Sequence, residues 1–517
     1  MSNKVTRASF LLFPITILSK VAAFFVTIVF SYYFGTNTVT DAYYAAGTIP
    51  NLVNNSLTIC ALTLFIPVYI KCKSEAGDLQ ANEFTSNVLN AFVTFNFALF
   101  IAFSLAAPVL AKLVAPGFSE EGLMHTQRMI HLLSMSYPFT VAAQALNNLC
   151  NANQKYVLPA VLTLLNHILT IVFCIVFAPA FGIYSYPLIC TGAWIVQVVI
   201  LYLCTRGRDF EHKIKTNFKD RYFKYMIKQS VPVMVTTAAD QINLAADNII
   251  GSDLPSGSLS CLGYAHRVFN SINGIVTSTL LTIYYPIISK QYAQKDTDGL
   301  NRSLKRYFEI MLLLTLPTTL FMIGNAKDVI GVLFSRGAMK TDDVSKISTL
   351  FMFYVAGMLF MSIKEFTTRL FYILGDTKWP AVLNTLCIAI NIGLSILLKQ
   401  FIGIYGIAIA TVISTAICAF VECLFLVKRA GGIKAIKRHK IINEKGIMQI
   451  VVSCCIAMGA MLCVQNILTL NSRFSTILIS GMVYIAVAFF ILLVLKNEYA
   501  ELAVEYLFKR IGREKPQ

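Results

Sequence analysis

The sequence holds ionisable side chains where they are most costly to keep, inside long apolar segments. Lys20, Arg128, Asp240, Asp247, Arg267, Glu309, Lys364, Glu365, Arg369 and Glu422 fall within such segments, and Asp41 stands at the mouth of another. A charge at the centre of a bilayer costs about 2.5–3.5 kcal/mol on insertion scales, so these groups pair or line a watery cavity. Lys20 and Arg267 belong to different halves of the chain. Two cations facing one cavity repel unless an anion lies between them, and a pyrophosphate is a fitting guest. The alternative is that each snorkels or pairs with a structural carboxylate such as Asp41 or Asp247.

Asp240 and Asp247 are seven residues apart with Asn243 on roughly the same stripe, so one face of their helix is polar. Carboxylate and amide oxygens suit a hard cation such as Na⁺, or a proton relay, and salt bridges to the other half are the competing reading. Glu365 and Arg369 are four apart, which favours pairing within one helix for the group Lys364, Glu365 and Arg369. The sequence contains no G-x-x-x-x-G-K-[ST], G-x-S-x-G or H-E-x-x-H string, and its six histidines are dispersed. No nucleophile, ATP site or zinc site is indicated, so no enzyme is expected and any transport energy comes from Na⁺, H⁺ or lipid gradients.

The elements that carry these residues are membrane helices. Charged residues make up 13% of the chain and apolar ones 56%, against roughly 25% and about 45–50% in a soluble domain. Segments long enough for a hydrocarbon core of about 30 Å recur at 8–34, 41–70, 85–112, 126–150, 157–180, 183–204, 225–250, 259–289, 304–325, 346–373, 379–399, 402–427, 446–468 and 474–495. The expected fold is an all-α integral membrane protein of about fourteen transmembrane helices.

The net charge of +17 does not call for nucleic acid. About 31 of the 43 Lys and Arg fall in alternate loops and both tails, the pattern of the positive-inside rule, which places both termini in the cytoplasm. The richest such segments run from Arg206 to Lys228 and from Lys428 to Lys445, where anionic headgroups are also within reach. The thirteen cysteines are scattered without a C-x-x-C pair, so neither disulfides nor a zinc site is expected. The first apolar stretch is too long for a signal peptide and is expected to remain as the first helix.

An internal repeat organises the helices. Residues 62–71 resemble 281–290, and residues 156–162 resemble 377–383, at nearly one offset. An even number of helices between copies makes the halves parallel, with a central cleft between them and rocking lobes. The expected division is a first lobe at 1–206, a second at 207–428, and a basic linker with a helix pair and tail at 429–517. Pro14, Pro50, Pro67, Pro138, Pro232, Pro286 and Pro317 interrupt spans, and the carbonyls they free should face protein or water.

Several stretches resemble the MurJ/MviN family, the lipid II flippases of the multidrug/oligosaccharidyl-lipid/polysaccharide exporter superfamily. They include Phe34-Gly35 with Thr40-Asp41-Ala42, Ile49-Pro50-Asn51-Leu52, Phe65-Ile66-Pro67-Val68, Ala115-Pro116-Gly117-Phe118, Gln241-Ile242-Asn243, Gly257-Ser258-Leu259-Ser260, Tyr264-Ala265-His266-Arg267, and Gly375-Asp376-Thr377-Lys378 with Pro380. The resemblance implies two lobes around a cationic cavity, a last helix pair holding a polyprenyl tail, and movement of lipid-linked peptidoglycan precursor to the outer leaflet of the bacterial plasma membrane. It implies substrate-binding roles for Lys20, in place of a family Arg, and for Asp41 and Arg267. It also implies a sodium site at Asp247, with Asn384 as partner. Three departures stand out: Val26-Thr27 stands where the family usually has an Arg followed by an acidic residue, Asn54-Asn55 where it has Arg-Arg, and Ile59-Cys60 where it has Glu-Gly, so three cavity cations are missing and Asn54 becomes a candidate substrate contact of altered chemistry.

The function expected is therefore a flippase for a polyprenyl-pyrophosphate-linked cell-wall precursor. Its partners are that lipid-linked saccharide, membrane lipids and envelope-synthesis proteins, and not nucleic acid. Alternatives are an exporter of another lipid-linked polysaccharide unit and a non-transporting scaffold of envelope synthesis. A drug/cation antiporter is disfavoured because a cationic cavity repels cationic drugs.

Overall fold

The computed structural model describes residues 2–207, 210–214, 217–376, 378–429, 444–467 and 472–512, and every extended element among them is helical. They divide into two compact units. The first is 1–264 with 336–343, and the second is 265–335 with 344–517.

The first unit opens with α1 (Ser2–Phe34), α2 (Thr38–Ala46) and α3 (Thr48–Val53), then a π-helical turn at Asn54–Ile59 and α4 (Cys60–Leu62). It continues through α5 (Phe65–Val114), α6 (Glu120–Ser134), α7 (Tyr137–Ala152), α8 (Val157–Phe181), α9 (Ser185–Thr205) and α10 (Arg221–Gly251). The break before Phe65 follows from the sequence, since Pro67 has no N–H to continue the helical ladder. The Leu62 carbonyl left at this break is taken by the Asn148 side chain of α7 at 2.8 Å, inside the protein as lipid exposure requires. The long α5 is two helices merged at Gly77, whose φ of 80° and ψ of −179° belong to glycine's own region of backbone space. Its two arms meet through Phe65 and Phe84, stacked at 5.5 Å. Alanines 42, 45 and 46 of α2 are fully buried, which brings backbones close where lipid supplies no hydrophobic drive.

The helix α11 (Ser258–Ala293) leads into the second unit. There follow α12 (Thr297–Gly324), α13 (Ala326–Phe334), α14 (Thr341–Ala356), α15 (Met358–Ile373), α16 (Lys378–Ile402) and α17 (Ile404–Arg429). The chain closes with α18 (Glu444–Ile467), α19 (Arg473–Val494) and α20 (Glu498–Gly512).

Among the described residues, ten helices are long and apolar enough to cross a membrane, and α14 with α15, bent by 43°, makes eleven. The three further spans expected from sequence fall on helical residues of another kind. One is divided among α2, α3 and α4, one between α6 and α7, and α10 carries a polar face. Most of the basic segment from Lys428 to Lys445 lies outside the described residues.

The α18–α19 pair and the following α20 are fixed to α12 and its end, one at each of two levels. Asn325, fully buried just past α12, accepts from Ser480 Oγ at 2.7 Å and Gln465 Nε2 at 2.9 Å. Nearer the other end, Tyr499 donates to Glu309 at 2.6 Å, and this buried carboxylate also has Lys305 at 4.0 Å. Both locks are polar, and polar groups shielded from water hold only when partnered.

Candidate functional site

Asp41 is placed by local capping. Asn37 accepts from the Val39 and Thr40 amides at 2.9 Å each and starts α2, which sets Asp41 in its first turn. The Asp41 carboxylate then accepts the Gly257 amide at 2.6 Å, the Ser260 amide at 2.7 Å and the Ser260 hydroxyl at 2.6 Å. It thus closes the N-terminus of α11, where an anion opposes the positive end of the helix dipole. Around it, Tyr264 donates to the Gly35 carbonyl at 2.9 Å, Ala338 donates to the Tyr32 carbonyl at 2.8 Å, and Thr36 hydrogen-bonds Asp343. Gly35 and Gly337 both have positive φ, and a side chain at either would collide with the backbone of this knot.

Lys20 is exposed on α1, on one stripe with Ile17, Val21 and Phe25, and has no ion-pair partner among the described residues. The structural alternative of a pair with Asp41 is not adopted, since that carboxylate is taken by Gly257 and Ser260. Asn54 is buried at the start of the π turn, and its Oδ1 has no hydrogen-bond partner among the described residues. Asp247 is buried on α10. The side chain of Asp240 lies outside the described residues.

The polar face of α10 docks on the broken helix within the same unit. Asn248 donates to Thr48 at 3.1 Å and Asn55 donates to Gln241 at 3.2 Å. Sequence reasoning singled out the stripe of Asp240, Asn243 and Asp247 and passed over its neighbours. The signal was present in the amide-rich run, but its partners lie about two hundred positions away.

In the second unit Arg267 is half-buried two residues beyond the start of that unit, beside His266, whose ring lies 5.4 Å from Tyr354. Lys364 does not turn along its own helix. Its ammonium donates to Asn384 Oδ1 at 2.8 Å, while Arg369 is exposed. Close by, the fully buried Glu422 of α17 accepts from Thr367, and from Thr368 at 3.2–3.3 Å. These α15 residues lie three and four positions beyond Lys364, on the face toward α16 and α17. Sodium, which the family resemblance implies, does not fit Asn384: the amide oxygen it would need already holds an ammonium.

A many-helix membrane fold with charges kept inside its helices defines the class, a multi-pass carrier. The model for the lipid II flippase MurJ family matches residues 30–487, and the chain belongs to that family. A probable lipid II flippase MurJ of Rickettsia prowazekii (strain Madrid E) is 25% identical over 391 residues, covering 74% of this chain and 76% of the relative. A solved lipid II flippase MurJ in an inward closed conformation superimposes with a TM-score of 0.79 at 22% identity, covering 96% of this chain and all of that one. An inward-facing multidrug resistance MATE family transporter of the MOP superfamily superimposes with a TM-score of 0.69 at 13% identity, covering 82% of this chain and 98% of that one. The protein is a multi-pass bacterial membrane protein and a transporter rather than an enzyme.

Proposed function

We infer that this protein flips lipid II, a polyprenyl-pyrophosphate-linked cell-wall precursor, across the membrane by alternating access. The observation that carries the reading is the family match over residues 30–487. A helical fold shared with solved flippase and MATE carriers supports it. Membrane lipids and the lipid-linked saccharide are its partners, and contact with envelope-synthesis proteins is the finer part of the proposal. The positive-inside pattern supports a plasma-membrane protein with both termini in the cytoplasm.

Lys20 and Arg267 are the cations assigned to the pyrophosphate, supported by their type and by the cost of holding charge at that depth. Asp41 supports the site by fixing the start of the helix that carries Arg267, and Asn54 offers an uncommitted amide oxygen. Asp247 and Asp240 remain the residues assigned to ion coupling, with a proton as the coupling ion. The lobes at 1–206 and 207–428 are proposed as the two copies of the internal repeat, and 429–517 as an appended basic linker, helix pair and tail. The test is reconstitution in proteoliposomes with headgroup-labelled lipid II. Translocation scaling with protein content is expected, and a rate equal to empty liposomes would overturn the reading.

A further inference from the structure

Where α10 begins, the structure assembles a basic cavity that the flippase reading does not use. It measures about 530 Å³ and is lined by Lys71, Lys219, Arg221, Lys224 and Lys228, together with Tyr222 and Tyr225. Arg221, Lys224, Tyr225 and Lys228 stand at i, i+3, i+4 and i+7, so they form one face of the first two turns. This arrangement is unfavourable in itself: like charges repel at those spacings, and cations at a helix N-terminus oppose its dipole.

Nearby carboxylates relieve the charge at Lys71 alone. Asp220 is committed to capping, accepting the Phe223 amide at 2.7 Å and Gln80 Nε2 at 2.9 Å. Glu75 takes the Tyr222 hydroxyl at 3.1 Å and lies 3.9 Å from Lys71, whose ammonium also sits 4.7 Å over the Tyr225 ring. Other lysines of this region have partners, as Lys73 has Asp78 at 2.8 Å and Lys213 has Glu83 at 2.7 Å. Among the described residues, Lys219, Arg221, Lys224 and Lys228 have no such carboxylate.

The segment leading into the cavity adds a second, independent feature. Ile214 is 88% exposed and Phe218 63% exposed, large apolar side chains interleaved with basic residues. That is the pattern of a chain lying in the headgroup layer with its apolar groups dipped into the acyl boundary. We propose that this cavity binds the phosphate of an anionic membrane lipid, with Ile214 and Phe218 seating its rim in the bilayer surface. The lysines and Arg221 supply the countercharge, and the lipid phosphate removes the repulsion that the helix otherwise carries.

The full-length protein in detergent is titrated with phosphatidylglycerol in phosphatidylcholine mixed micelles, and retained lipid is counted by native mass spectrometry. Saturable retention of phosphatidylglycerol over phosphatidylcholine is expected, weakening as NaCl rises from about 50 to about 500 mM. The Lys219→Gln/Lys224→Gln/Lys228→Gln variant should lose affinity by roughly fivefold for each charge removed. The same three positions changed to Arg should retain the lipid, as should the charge-matched Lys112→Gln/Lys290→Gln/Lys340→Gln variant. Retention unchanged in the first variant overturns the proposal. Inorganic pyrophosphate bound as tightly as phosphatidylglycerol overturns the lipid assignment.

Discussion

The carboxylate of Asp41 receives both the amide and the hydroxyl of Ser260, 219 positions further along the chain. An acid at the mouth of a span, which the family resemblance marks as a binding group, is in the folded protein the cap of a helix.

Removing this cap should be costly. Asp41→Ala leaves two helix amides without their charged acceptor and should destabilise the protein by about 2–4 kcal/mol, while Ser260→Ala should cost about 1 kcal/mol. Thermal unfolding in detergent reads both. An Asp41→Ala midpoint equal to that of Ser260→Ala would contradict the capping role.

Gly77 joins the two arms of α5 at a φ of 80° with no atom within 4 Å of an added Cβ. The cost of Gly77→Ala is then backbone strain alone, about 1–3 kcal/mol. Gly192→Ala, also in open space but with no positive φ, should be neutral or slightly stabilising. The order of the two melting temperatures is the check.

Arg267→Ala and Lys20→Ala should abolish rescue of a flippase-depleted strain at normal expression, whereas Lys20→Arg should preserve it, because a guanidinium offers phosphate a bidentate fork. Indifference of rescue to both alanine changes would point to a scaffold instead.

Because Lys364 already places an ammonium on Asn384, transport in proteoliposomes should proceed at the same rate when Na⁺ is replaced by K⁺. A loss of about tenfold or more on that exchange would show that the ammonium yields to sodium during the cycle.

His212 lies beside Asn90 at 2.7 Å, in the segment between α9 and α10, and burial lowers its pKa. The unfolded imidazole titrates near 6.5, so as pH falls through that value the detached segment binds a proton that the docked one resists. Docking should weaken below pH ~6.5. Hydrogen-exchange protection over residues 210–214, taken relative to the intrinsic rate at each pH, should fall there in the native chain, and His212→Gln should remove that loss.

Long apolar spans were legible because each announces itself within one window of sequence. The α2 to α4 region and α10 were harder for the opposite reason: a π turn, proline breaks and a polar face dilute the local signal while long-range packing compensates. Lys364 shows the same limit at the scale of a side chain. Its neighbours in sequence suggested pairing along α15, yet its position on the helix turns it toward α16. Asp41 could be flagged as important, but its donors sit in a glycine-serine turn hundreds of residues away, and only folding brings them together.

The two contacts of α10 with the broken helix carry one more consequence. Thr48 and Asn55 are seven residues apart, as are Gln241 and Asn248, so the two bonds form a pair of teeth spaced by about 10 Å along each helix. Sliding α10 by one turn disengages both teeth at once, and sliding it by two turns lets only one find a mate. Axial creep is thereby penalised at every intermediate step, whereas a swing that carries both helices as one piece leaves the gearing untouched.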